Sequence, residues 1–170
     1  SYNSLFQQAA SALAFPEFIE QPAFPMWEKL LIYNIMKEFL LSTTQKIISQ
    51  FDIVGLSVTN VSYLTSVALS RLIKASAPKT RIIWGGPSIQ SDHILLEKLK
   101  HLDCVDVFVH GRGEEPLEDI LTKISQGEEL SKIVGGGIPG LIWRGEDNSM
   151  KFIDEVDQNK NIKHSYPDFS

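Results

Sequence analysis

Hydrogen-bonding side chains and glycines gather at three places in this chain, each directly after a short apolar run. They are Ser57, Thr59 and Asn60; Gly85, Gly86, Pro87 and Ser88; and Gly111, Arg112, Gly113 and Glu114. Hydroxyl and amide groups where a strand gives way to a helix can hold phosphates or amides, helped by the unpaired N–H groups of the helix start. Adjacent glycines let the backbone approach a bulky group, because no Cβ stands in the way. Glu114 can accept hydrogen bonds from a ribose or an amide. Each set also has an ordinary structural explanation: Asn60 or Ser62 as a helix cap, Gly85-Gly86 as a strand-end turn, and Glu114 as a first-turn carboxylate that complements the helix dipole.

Other chemistry is missing from the pattern. The turn after the second apolar run does not match the dinucleotide fingerprint G-x-G-x-x-G, and there is no Walker A loop. His93, His101, His110 and His164 show no ligand spacing and pair with no nucleophile. His110 alone lies beside the candidate crevice. Cys104 is the only cysteine, which excludes a disulfide framework or a multi-cysteine cluster within these residues. It reads as a small buried side chain, and Trp84 and Trp143 read as core or rim aromatics. No catalytic residue and no metal ligand is evident.

The elements that carry the three sets follow from periodicity. Asp52–Ser57, Arg81–Trp84 and Val105–Val109 are nearly continuous apolar runs, the mark of parallel strands buried on both faces. Between the first two, Leu64, Ala68, Leu72 and Ala75 fall on one helical face ended by Pro78. Ser91 or Asp92 caps a second helix with Leu95, Leu99 and Leu102 inward. After the third run, Pro116 suits a first helical turn, Leu117, Ile120, Leu121 and Ile124 form an apolar face, and Gly127 stops the helix. Leu141–Arg144 and Met150–Ile153 flank Gly145–Ser149 as a hairpin with a five-residue loop. Upstream, Met26–Ser49 has helical spacing, read as one helix or as two divided near Ser42-Thr43-Thr44.

Strands joined by single helices and short turns make right-handed crossovers. The fold expected is therefore α/β: a doubly wound, Rossmann-like or flavodoxin-like parallel sheet with helices on both faces, plus a C-terminal β-hairpin. Its ligands sit beyond the carboxyl ends of the strands, where all three sets of residues lie. The expected organisation is a proline-containing helical segment over 1–50, an α/β domain over 51–160 and a linker over 161–170. A first residue of Ser1 and the closing Tyr166–Ser170 predict a piece of a longer polypeptide. The composition, 43% apolar and 22% charged with a net charge of −5, is that of an ordinary globular domain. It points away from nucleic acid and from a membrane, and toward a cytoplasmic location.

Three stretches, Asp52–Ser57, Ile82–Ser88 and Val105–Pro116, resemble the cobalamin-binding domain that precedes the catalytic domain of many radical S-adenosylmethionine (radical SAM) enzymes. Ile138–Arg144 and Tyr166–Phe169 are similar to the segments that follow in that family, and the resemblance covers about residues 51–170. It implies a corrin ring over the strand ends and a nucleotide tail in the sheet crevice. Ser57, Thr59, Asn60, Gly85, Gly86, Pro87, Ser88, Gly111, Arg112, Gly113 and Glu114 would then line the cobalamin pocket.

The family's Asp-x-His-x-x-Gly pattern is absent, since Asp92-His93 has the wrong spacing, so the resemblance implies cobalamin bound without a protein histidine. The radical cysteine triad is absent too. The [4Fe-4S] cluster and S-adenosylmethionine belong, on this reading, to a downstream radical SAM domain of the same parent chain, with a peptide or small molecule as substrate. The fragment alone is expected neither to cleave S-adenosylmethionine nor to hold the cluster. Two alternatives remain at this point. One is a degenerate module of the same fold that has lost the cofactor and serves peptide-substrate recognition or domain docking. The other is a stand-alone α/β enzyme or receiver, disfavoured because no acidic pair with a strand-end phosphorylatable Asp is visible.

Overall fold

The computed structural model describes residues 26–89 and 97–153. In chain order these form α1 (Met26–Gln50), β1 (Ile53–Ser57), α2 (Tyr63–Ser76), β2 (Arg81–Gly85), β3 (Val107–Val109), α3 (Glu114–Ser125), α4 (Leu130–Val134), β4 (Leu141–Arg144) and β5 (Met150–Phe152). The five strands lie side by side in sequence order. β1, β2 and β3 run parallel, with Val54 opposite Ile82 and Trp84 opposite Phe108. β4 and β5 reverse direction, Phe108 facing Ile142 and Trp143 facing Lys151. The fold is α/β with a mixed sheet and helices on both faces.

Side-chain alternation along each strand explains the two faces. Ile82, Trp84, Phe108 and Ile142 point into a core shared with α1 and α2 through Leu40, Val67, Leu72 and Ile73. Ile83, Val107, Val109 and Leu141 point the other way, onto Ile120 of α3 and Ile133 of α4. The centre of the first core is aromatic. Trp84 is fully buried and sits edge-on between Tyr63 and Phe108, with centroids 5.9 and 6.0 Å away. Its indole N–H donates to Ser70 Oγ at 3.0 Å, which satisfies the one polar atom that burial would otherwise strand.

The amino end of the sheet is locked by polar groups. The Lys74 ammonium donates to the Thr80 carbonyl and to Asp106, and Asp106 accepts the Ile82 N–H at 2.6 Å. This network ties the end of α2 to the starts of β2 and β3.

Three expectations need correction, and one open alternative, the number of helices before β1, is decided. β1 is not buried on both faces: among the described residues it lies at the end of the sheet, and of Ile53–Ser57 only Val54 is buried. α1 runs unbroken through residues 42–44, because Ser42 and Thr44 return their hydroxyls to the Phe39 and Leu40 carbonyls and need no helix end. On α2 the inward residues are Val67, Leu69 and Ile73 together with Ala68 and Leu72, whereas Leu64 and Ala75 are exposed. On α3, Ile120 is buried but Leu117 and Leu121 are exposed. The expected cap at Ser91 or Asp92, with Leu95, lies outside the described residues, as do His93, His164 and the linker.

Candidate functional site

The loops after β1 and β2 are stitched into one surface. Ser57 ends β1 and is exposed. The next residue, Val58, donates its N–H to the Gly85 carbonyl at 2.7 Å and accepts the Ser88 N–H at 3.2 Å, so the β1–β2 pairing continues past the strand ends. Ser88 Oγ donates to Asn60 Oδ1 at 3.0 Å, joining the two loops through side chains. Thr59 is used locally: its N–H donates to Ser62 Oγ and its own Oγ1 accepts the Ser62 N–H, which closes the turn into α2.

Gly86 has a structural reason for lacking a side chain. Its φ is +103°, and a Cβ there would lie 2.8 Å from both the nitrogen and the oxygen of Val58. The close approach that glycine permits at this position is therefore to the neighbouring loop's backbone. Gly85 differs, since a Cβ would make only ordinary contact with Val109, the nearest atom being 3.7 Å away.

The third loop follows β3, the strand beside β2. Gly111 turns with φ 73°, Arg112 is exposed, and Gly113, where an added Cβ would make ordinary contact with Val109, precedes α3. Glu114 and Glu115 occupy the first turn of α3, exposed, where their charge complements the helix N-terminus. All three sets thus stand along one edge of the sheet, next to one another in strand order; Pro87 is exposed there as well.

Further residues reach this edge that the sequence reading left out. Val61 is 94% exposed and Leu64 49%, at the loop and first turn leading into α2. Leu117 occupies the corresponding place at the start of α3. Gly140, before β4, accepts the His110 N–H at 2.9 Å, so the segment from the Gly135–Gly137 run toward β4 returns to the same edge. The antiparallel course of β4 causes this, and no local pattern announces it. Val61, almost fully exposed, and Leu64, half exposed, place apolar side chains beside neutral hydroxyls and an amide. That combination suits a large ligand with an apolar body and a fringe of hydrogen-bonding groups.

Burial raises the Cys104 thiol, which is pushed up to about 11, Arg71 opposing the shift and Asp103 adding to it. The folded thiol thus stays protonated where the unfolded one, at about 9, ionises. The stability this provides is complete below about pH 9 and is lost as pH rises toward about 11. At pH 8 a thiol-specific reagent is expected to leave Cys104 unmodified in the native protein and to modify it fully once denaturant is added. Rapid labelling of the native state would contradict the burial. Tyr63 is raised as well, first by burial and then by the neighbouring Cys104. Among the described residues no group of three His, Cys, Asp or Glu side chains could hold a metal ion, and no helix is long and apolar enough to cross a membrane.

No protein-family model matches the chain. Over 107 residues it is 26% identical to the uncharacterized methyltransferase PH0819 of Pyrococcus horikoshii, a match that covers 62% of this chain and 23% of that protein. The chain therefore spans less than a quarter of the length of this relative.

Proposed function

We propose that this chain is a cobalamin-binding module working with a downstream radical SAM domain in methyl transfer or a related radical reaction. The observation that carries the reading is the union of the first two loops: Asn60 bonded to Ser88, and Val58 bonded to Gly85 and Ser88, at the carboxyl edge where α/β sheets take their ligands. Similarity to a protein described as a methyltransferase supports the methyl-transfer part.

The residues fit such a group in kind. Ser57, Asn60 and Ser88 offer neutral donors and acceptors suited to the amides of a corrin, Gly85, Gly111 and Gly113 keep the edge low, and Val61 and Leu64 supply apolar contact. When bound, the cofactor supplies a cobalt centre able to carry a methyl group. The chain's own part is to bind and orient it, and to exclude water with the apolar rim. The absence of the histidine-bearing pattern supports binding without an imidazole ligand.

The test is a visible-absorption titration of hydroxocobalamin into the full chain. Wild type is expected to bind, and Asn60→Ala to bind about three- to tenfold more weakly, the worth of one hydrogen bond. Glu146→Ala, in the turn at the opposite end of β4, is expected to match wild type. The exposed Val61 favours a second reading, docking of another domain by an apolar rim. That reading takes over if wild type shows no binding.

A further inference from the structure

Most buried polar atoms in a folded protein have a hydrogen-bond partner, and each exception calls for an explanation. Among the described residues two side chains hold such an exception, Ser76 Oγ and His110 Nε2. Ser76 is the last residue of α2, at the amino end of the sheet. His110 is at the carboxyl end. It directly follows β3 and directly precedes Gly111, and its backbone N–H is fixed by the Gly140 carbonyl. One ring nitrogen is therefore shielded from water and without a partner, on the residue that joins β3 to the third loop.

An imidazole nitrogen buried without a bond costs stability compared with an apolar ring of similar size. A cost of this kind at the ligand edge is accounted for if a ligand atom completes the bond. We infer that His110 Nε2 is a ligand-contacting atom, bonding a neutral amide or hydroxyl group of the bound molecule and setting its position over β3. An amide or hydroxyl can meet either tautomer, donating to a bare nitrogen or accepting from a protonated one. The assignment rests on the cobalamin reading for the identity of that molecule, whose side-chain amides are of the required kind. It makes His110 a positioning contact and not a ligand of cobalt.

The experiment compares wild type, His110→Phe and His110→Gln, each as the full chain, by hydroxocobalamin titration and by thermal unfolding without cofactor. His110→Phe is expected to weaken binding about three- to tenfold and to raise the ligand-free melting temperature by about 2–4 °C. His110→Gln, which keeps a donor and an acceptor, is expected to recover part of the affinity. In wild type, the His110 Nε2 nitrogen resonance should move on adding hydroxocobalamin while that of the exposed His101 stays in place. Unchanged affinity in His110→Phe, or loss of ligand-free stability in both variants, overturns the assignment and leaves the cobalamin reading standing. Failure of wild type to bind overturns both.

Discussion

Replacing Gly86 with leucine is expected to destabilise the chain by about 2–6 kcal/mol. Two penalties coincide at this position. A side chain at φ +103° must adopt a backbone conformation that costs an L-residue roughly 1–3 kcal/mol. Its Cβ would also meet the Val58 backbone at 2.8 Å on two atoms, and overpacking of this kind costs about 1–3 kcal/mol more. The neighbour cannot easily give way, because the Val58 N–H and carbonyl are both bonded to the β2 loop. The combined loss, about 2–6 kcal/mol, compares with a total stability of about 5–15 kcal/mol for an ordinary domain. Gly85→Ala is the matched comparison: its Cβ meets nothing closer than 3.7 Å, so a change within about 1 kcal/mol is expected. Denaturant unfolding of both variants checks this. Equal effects at the two glycines would show that the Val58 contact is not what demands Gly86.

Trp84→Ala carries the other large effect. The indole is fully buried in the middle strand of the parallel set, and its removal empties the space between Tyr63 and Phe108. Truncating a buried aromatic residue costs about 3–5 kcal/mol, and Ser70 Oγ loses its partner at a buried site. Trp143, only half-buried at the margin of the second core, should cost well under half as much when replaced by alanine. Tryptophan fluorescence followed through urea unfolding of the two variants gives both numbers. A larger loss at Trp143 would contradict the packing described.

The parallel strands were legible because continuous apolar runs bounded by glycine or polar residues have few other meanings. Val107–Val109 and Ile82–Trp84 are buried on both faces, as such runs imply. β1 reads the same way in sequence yet lies at the end of the described sheet, because an apolar run says that a strand wants neighbours and not how many it has. Helix faces were half legible. A period of 3.6 picks out a stripe, but Leu64 and Leu117 fall in the first turns of α2 and α3, where the stripe reaches the sheet edge and stays exposed among the described residues.

Candidate site residues were found by their position after strands, and the structure does bring those loops to one edge. What stayed hidden was tertiary. Nothing local marks Gly86 as the neighbour of Val58, Asn60 as the acceptor of the Ser88 hydroxyl, or Gly140 as the acceptor of the His110 N–H. All three depend on the strand register.

The central claim is that cobalamin is held by the loops at the carboxyl edge. An amide-resolved NMR titration of the isotopically labelled chain with hydroxocobalamin tests it most directly. The account predicts that the largest shifts fall on Ser57 to Asn60, Gly85, Gly86 and Ser88, and His110 to Glu114, with Gly140 beside them. Pro87 has no amide to report. The turn formed by residues 145–149, at the far end of β4, should be silent. Shifts centred on that turn, or no shifts under conditions where cobalamin is in large excess, would contradict the account.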